Sequence, residues 1–358
     1  MGSTSSAATT RIIDTKKTSR AIVSRSAPDS MARTVARQPR RRLTWPADAP
    51  RVGIHLGVAG GLLKAGRRAR TIGATALQIF SDNPTAWRRR PEPPRDADAF
   101  IDYAAAEGIA PVVIHASYLI NLAGTSQPFA TQSKLGLIHE MQRAPRWGAS
   151  VVNTHIGSHR GMGHAAGLAR IVANVEEVLA DSPPGVTLAL ENSAGGGDNL
   201  GSRIEELAEI LDSVRIGRER LAFCLDTAHL WGAGYDISTA DGVDAVVGRF
   251  AELLGLDRLR LIHLNDSRSL LGSRTDRHEH LGAGSIGPVG LGALLRHPRL
   301  GATTFVMETP GADDGYDAVN MRRARLLYDG AVELPILPPK AFTLNRRSVR
   351  GQAPLKRS

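Results

Sequence analysis

The 358-residue sequence contains one cysteine, Cys224. A single thiol excludes an intrachain disulfide, so nothing in the chain asks for an oxidising compartment. No run comes near the roughly 18 consecutive apolar residues that a membrane-spanning helix needs, which predicts a soluble protein. The dinucleotide-binding fingerprint G-x-G-x-x-G is missing after the first apolar run, where Gly57-Val58-Ala59-Gly60-Gly61 makes a tight turn instead. Acidic residues are almost absent from the two ends. The first 50 residues hold ten basic and three acidic residues, and residues 340–358 hold six basic and no acidic ones.

The net charge of +10 therefore belongs to the ends, and residues 51–339 carry −3. A uniformly basic nucleic-acid-binding body is excluded, and a near-neutral body with basic tails takes its place. Residues 1–48 lack hydrophobic periodicity and read as a disordered basic tail, as do residues 336–358. The N-terminal tail is compatible with a nucleic-acid arm, an Arg- and Ser-rich transit peptide, an extension upstream of a start at Met31, or a plain solvated segment. The body, residues 49–335, reads as one domain.

Within it, short β-branched or apolar runs recur at 52–56, 76–80, 111–115, 151–155, 187–191, 221–226, 259–264 and 304–308. Amphipathic stretches of helical length separate them, at 61–72, 96–107, 133–147, 167–180, 202–213, 243–254 and 318–328. Strands alternating with helices predict an α/β fold, a (β/α)8 TIM barrel, with a doubly wound open sheet as the alternative.

Chemistry in such a barrel gathers at the C-terminal ends of the strands. Those ends carry His115, His155, Glu191, Asp226 with His229 close behind, His263, and Glu308, and the loop after the seventh run carries Asp276 and His278. Any one of these has an ordinary explanation; Asp226, for instance, suits the N-cap of a following helix. Nine ligand-type residues on one face do not. Mixed imidazole and carboxylate donors suit zinc or manganese, and nine exceed the roughly four to six that one ion takes. The count asks for two or three ions. Without metal, the four carboxylates are expected to repel one another and shift upward in pKa. The other six histidines, His139 and His297 among them, read as surface residues.

At these residues the sequence resembles the endonuclease IV family of apurinic/apyrimidinic (AP) endonucleases, over roughly residues 51–330. The matching runs are His115-Ala-Ser-Tyr-Leu-Ile-Asn-Leu122, His155-Ile-Gly-Ser-His159, Glu191-Asn-Ser-Ala-Gly195, and Cys224-Leu-Asp-Thr-Ala-His229 through Gly234-Tyr235-Asp236. His263-Leu-Asn-Asp266, Gly272-Ser-Arg-Thr-Asp-Arg-His278 and Leu281-Gly-Ala-Gly-Ser-Ile-Gly287 complete the set. The resemblance implies three Zn2+ ions per chain. His115, His155 and Glu191 hold the first; Glu191 bridges to the second, with Asp226, His263 and Glu308; His229, Asp276 and His278 hold the third. Glu191, as the bridge, positions the attacking hydroxide. The implied reaction is hydrolysis of the phosphodiester 5′ to an abasic site in double-stranded DNA, a step of base excision repair that leaves a 3′-hydroxyl. A monomer, cytoplasmic and associated with the nucleoid, is the expected state.

The family inserts side chains into the bent duplex from the second and third strand loops. Tyr118 and Leu119 are in place in the third. In the second, Ser81-Asp-Asn-Pro-Thr-Ala-Trp87, Thr85 stands where an arginine is expected, and Arg88, Arg89 and Arg90 follow as candidate phosphate contacts. The alternative function is a metal-dependent sugar isomerase or epimerase of the same barrel class, which one or two ions would serve. The ligand set at His229, Asp276 and His278 argues against it.

Overall fold

Eight parallel strands alternate with helices and close on themselves. The computed structural model describes residues 43–343 apart from Pro91. The basic tails assigned from sequence therefore lie largely outside the described residues. The chain enters through β1 (Arg51–His55), α1 (Leu62–Ile72), β2 (Ala76–Phe80), α2 (Ala97–Glu107) and β3 (Val112–His115). It continues through α3 (Phe129–Arg143), β4 (Val151–His155), α4 (His164–Ala180), β5 (Thr187–Glu191), α5 (Ile204–Ser213) and β6 (Leu221–Asp226). A short α6 (Thr227–Ala233), α7 (Ala240–Leu254) and β7 (Leu259–His263) follow, then the two-residue strands β8 (Asp266–Ser267) and β9 (His278–Glu279). Then come α8 (Gly287–Arg296), β10 (Thr304–Met307) and α9 (Tyr316–Tyr328). Strands β1 to β7 and β10 form the closed barrel, and β8 and β9 pair as a separate antiparallel hairpin. This is the (β/α)8 barrel that the alternation predicts; the open sheet is excluded because β1 pairs with both β2 and β10.

Strand positions agree with the sequence reading to within a residue, whereas several helices do not. Helix α3 begins at Phe129 rather than 133, α4 at His164 rather than 167, and α6 and α8 escape the pattern altogether. Helix α8 reads Gly-Pro-Val-Gly-Leu-Gly-Ala-Leu-Leu-Arg. Its three glycines mask the period, although Leu291, Leu294 and Leu295 bury one face. Packing also continues outside residues 49–335. Trp45 donates to the Gly73 carbonyl at 2.9 Å and meets Tyr328 edge-on at 5.8 Å. Ala341 is buried, and its carbonyl lies 3.3 Å from His280 Nε2.

The core lies in two layers. Between sheet and helices, Phe100, Phe223, Phe250, Phe305 and Trp147 are fully buried among aliphatic side chains. Inside the barrel, Val113, Val151, Ala189, Cys224, Leu261 and Val306 form a small plug. Side chains along a strand alternate between faces. The residue two positions beyond each plug member but one is therefore a candidate ligand: His115, Glu191, Asp226, His263 and Glu308. On β4 the step reaches Asn153, and His155 lies two further on.

Candidate metal centre

Register brings the ligand-type residues side by side. His155 is the Cα partner of Glu191, and Asp226 of His263. The β6–β7 pairing carries a register shift between Phe223 and Cys224 that makes the second match. Helix α6 starts immediately after β6 and carries His229 on its first turn. The β8–β9 hairpin returns Asp276 and His278 over the same end of the barrel.

All nine candidate ligands converge. Donor atoms of His115, His155 and Glu191 lie within 4.8 Å of one another, as do those of Glu191, Asp226, His263 and Glu308, and those of Asp226, His229 and His278. Asp276 joins the last group, with oxygens 3.2 Å from His229 Nε2 and 3.1 Å from His278 Nε2. Glu191 belongs to the first and second groups and Asp226 to the second and third, so the three are interlocked. Glu191 receives His115 Nε2 at 3.4 Å, His155 Nε2 at 3.6 Å and His263 Nδ1 at 3.3 Å.

The electrostatics differ from the expectation of mutually repelling acids. Burial works to raise Glu191, but His263 and His155 outweigh it and hold the carboxyl well below its usual value. Burial is likewise overcome at Asp276 by His278 and His229, and at Glu308 chiefly by His263. The imidazoles mirror this. Burial disfavours their protonation, yet Asp226 and Asp276 push His229 up to about 10. Asp276 and Asp226 raise His278 well above the ordinary histidine value, and Cys224, then Glu308 and Glu191, do the same for His263. Glu191, Asp276 and Glu308 each have an imidazole nitrogen 3.1–3.3 Å from a carboxylate oxygen. Protons occupy positions that divalent cations would take.

The donor set fits such ions. His278 Nε2 is buried without a hydrogen-bond partner among the described residues, 3.1 and 3.4 Å from oxygens of Asp276 and Asp226. Its other nitrogen lies 3.1 Å from the Glu308 carbonyl. His115 and His229 are oriented in the same manner, through Nδ1 to the carbonyls of Ala116 at 2.7 Å and Asn192 at 2.9 Å. Fixing one ring nitrogen on a carbonyl leaves the other as the free donor, as metal-ligating imidazoles require. Asn153 and Asn265 donate to Glu191 at 2.6 Å and to Asp226 at 2.7 Å.

Two residues at the site escaped the sequence reading. His55 Nδ1 lies 3.5 Å from Glu308, and Gln78 donates to Glu308 at 2.6 Å. The class of surface histidines is thus too broad, since His55 is largely enclosed and His280 is fully buried. The available signal was strand parity: on β2 Gln78 is two residues before Phe80, and on β1 His55 is the last residue, both on the barrel-facing alternation.

Beside the ligands opens a cleft of about 590 Å³, whose walls include Trp87, Tyr118, His155, His229, Arg274 and Asp276. The loop after β2 forms one rim and is pinned from below. Asp82 accepts from Arg143 at 2.5 Å, Ser81 donates to Glu140, and Tyr118 N donates to the Pro84 carbonyl at 3.1 Å. Thr85 and Arg88 are exposed, Tyr118 is 53% exposed, and Leu119 is half-buried. Arg89 is turned inward toward Glu140 at 3.8 Å, and Arg90 lies 3.3 Å from Asp82. Of the three arginines, Arg88 is the one with no such pairing among the described residues.

The family profile described as xylose isomerase-like TIM barrel matches residues 67–326. A probable endonuclease 4 of Methanoculleus marisnigri is 40% identical over 277 residues, covering 77% of this chain and 98% of the relative. A probable endonuclease 4 of Chloroflexus aurantiacus is 38% identical over 284 residues, covering 79% and 99%. Among solved structures, endonuclease IV of Thermus thermophilus superposes with a TM-score of 0.70 at 37% identity, covering 79% of this chain and all of the other. A D-tagatose 3-epimerase-like protein, at 14% identity and a TM-score of 0.56 over 77% of this chain and 98% of that one, shares the fold alone. Long coverage at such identity, on a barrel whose open end gathers these nine side chains, leads to one assignment: the chain belongs to the endonuclease IV family and is an enzyme of that type.

Proposed function

We propose that the protein is a zinc-dependent AP endonuclease of base excision repair, hydrolysing the phosphodiester 5′ to an abasic site in duplex DNA and leaving a 3′-hydroxyl. The observation that carries this reading is the interlocking of three ligand groups through Glu191 and Asp226. His115, His155 and Glu191 would hold one ion, Glu191, Asp226, His263 and Glu308 a second, and His229, Asp276 and His278 a third. Bound divalent ions supply Lewis acidity there, lowering the pKa of water and neutralising charge on a phosphodiester.

The chain's own residues set the rest. Glu191, 1% exposed and fixed by Asn153, keeps the first two groups at a constant separation. Tyr118 stands at the mouth of the cleft with its ring stacked 6.0 Å from that of His155, which supports its meeting a base or sugar next to the first group. Tyr118 and Leu119 offer apolar surface of the kind that wedges into an unstacked duplex, and unstacking costs least where a base is already missing. Arg88 is placed to meet the backbone. The sugar-epimerase alternative rests on likeness of fold below 25% identity and leaves Asp276 and His278 without a role.

The test is a duplex bearing one defined abasic site, incubated with the protein with and without a strong chelator. Chelator-sensitive incision on the 5′ side, with a 3′ end that a polymerase extends, is the expected result. No incision, or incision indifferent to chelation, overturns the reading.

A further inference from the structure

Gln78 is fully buried at the barrel axis and makes three hydrogen bonds with its amide. Its Nε2 lies 2.6 Å from Glu308 Oε1 and 3.0 Å from His55 Nδ1, and its Oε1 lies 3.0 Å from His263 Nε2. An ionised carboxylate only accepts, so the atom facing Glu308 is the amide nitrogen, and the orientation of the whole group follows. The amide oxygen also only accepts, which requires a proton on His263 Nε2. His263 Nδ1 is then the nitrogen turned toward Glu191 at 3.3 Å, Glu308 at 3.3 Å and Asp226 at 3.8 Å. The second amide proton goes to His55 Nδ1, which leaves neutral His55 with its proton on Nε2. That atom is buried without a partner among the described residues. His55 lines a cavity of about 280 Å³ together with Phe80, Tyr118, His278, Glu308 and Thr309.

We propose that Gln78 is a positioning residue of the metal centre. One buried amide selects the donor nitrogen of His263, fixes the Glu308 carboxylate, and makes His55 a hydrogen-bond donor within the site. His263 differs in this from His115, His229 and His278, which are held through Nδ1 by main-chain carbonyls. A side chain reaching across the barrel interior from β2, three strands away from β7, does for His263 what the backbone does for the others. The inference rests on reading His263 and Glu308 as ligands of one ion, and it concerns that ion alone.

The experiment compares the full chain with Gln78→Met, which keeps the length of the side chain and removes both donors and the acceptor. Zinc retained per chain is measured after dialysis against a graded series of chelator concentrations, with a thermal melt of each sample. Loss of an outer partner typically weakens metal affinity by about 10–100-fold. The expected result is that one ion leaves at a correspondingly lower chelator concentration while the remaining zinc follows the parent curve. Retention equal to the parent, or equal weakening of all the zinc, overturns the proposal.

A second measurement needs no variant. Long-range 1H–15N correlation spectra of the imidazoles in the zinc-loaded parent should show both His55 and His263 protonated on Nε2. A proton on Nδ1 of either ring overturns the proposal even if Gln78→Met does not fold. Neither readout involves DNA, so an absence of incision at abasic sites would count against the proposed function and leave Gln78 to be judged separately.

Discussion

The carboxylate of Asp226 accepts the backbone N–H of His229 at 2.9 Å through Oδ1, while Oδ2 turns to the metal centre, 3.4 Å from His278 Nε2. One side chain is the N-cap of α6 and a member of two ligand groups. The capping role suggested by the sequence and the ligand role are therefore not alternatives. Capping the helix is what brings His229 within reach of the same carboxylate.

That double use makes the two roles separable. Asparagine caps helices about as well as aspartate, whereas alanine loses roughly 1 kcal/mol. Metal-free Asp226→Asn keeps the cap but loses the charge beside His229 and the acceptor for Asn265. It should therefore melt below the parent and above metal-free Asp226→Ala, and bind less zinc. Asp226→Ala should lose the cap as well. If both variants retain parental zinc content, Asp226 is a cap and nothing more.

Zinc uptake should release protons and weaken as the pH falls. His229 is raised to about 10, with His263 and His278 also well above the ordinary value, so these imidazoles hold protons at neutral pH in the metal-free protein. An ion must displace them. Calorimetry near pH 7 in buffers of different ionisation enthalpy should report net proton release on zinc addition. The apparent affinity should rise with pH between 6 and 8. Uptake with no proton release would contradict the protonated, metal-free network.

Glu191→Gln should nearly abolish incision while leaving DNA binding largely intact. A neutral amide cannot balance two cations, and the loss should exceed the roughly 10–100-fold typical of an outer partner. Cleavage within about tenfold of the parent would show that Glu191 is not the bridge between the first two groups.

Thr85 lies at the exposed rim, where its amide and hydroxyl both bond to Asn83 Oδ1, at 3.0 and 2.9 Å. Thr85→Arg sacrifices one of those bonds and adds a long cationic side chain beside Tyr118. Binding to abasic duplex should tighten by roughly tenfold, about 1.4 kcal/mol, and binding to intact duplex by less. Equal tightening on both would mark a generic phosphate contact.

Removal of residues 1–42 and 344–358 takes away fifteen basic residues and no candidate ligand. It spares Trp45 and Ala341, both packed against the barrel; a C-terminal cut at 340 would remove Ala341. If about five of those charges meet phosphates, the log–log salt slope of DNA binding should fall by about 4 to 5. Single-turnover incision at saturating enzyme should stay unchanged, since affinity no longer limits it. An unchanged slope would exclude the tails from DNA binding.

The sequence by itself determined the barrel and its nine candidate ligands, because both depend on local periodicity. Apolar runs end in His or carboxylate residues, and strand parity carries those ends to one face whatever the neighbouring strands are. It did not reveal α8, whose glycines blur the helical period, nor the inward turn of Arg89 toward Glu140, which depends on α3 lying beneath the loop. Periodicity left open which ligands share a group; the resemblance implied a grouping, and the register shift at Phe223/Cys224 is what sets Asp226 beside His263. Tertiary structure also decided that Glu191, Asp276 and Glu308 are lowered rather than raised, since only packing could set His263 and His278 against them. Gln78 is the plainest case: strand parity turns it inward, but its meaning comes from His55, His263 and Glu308, which the closure of the barrel brings to it.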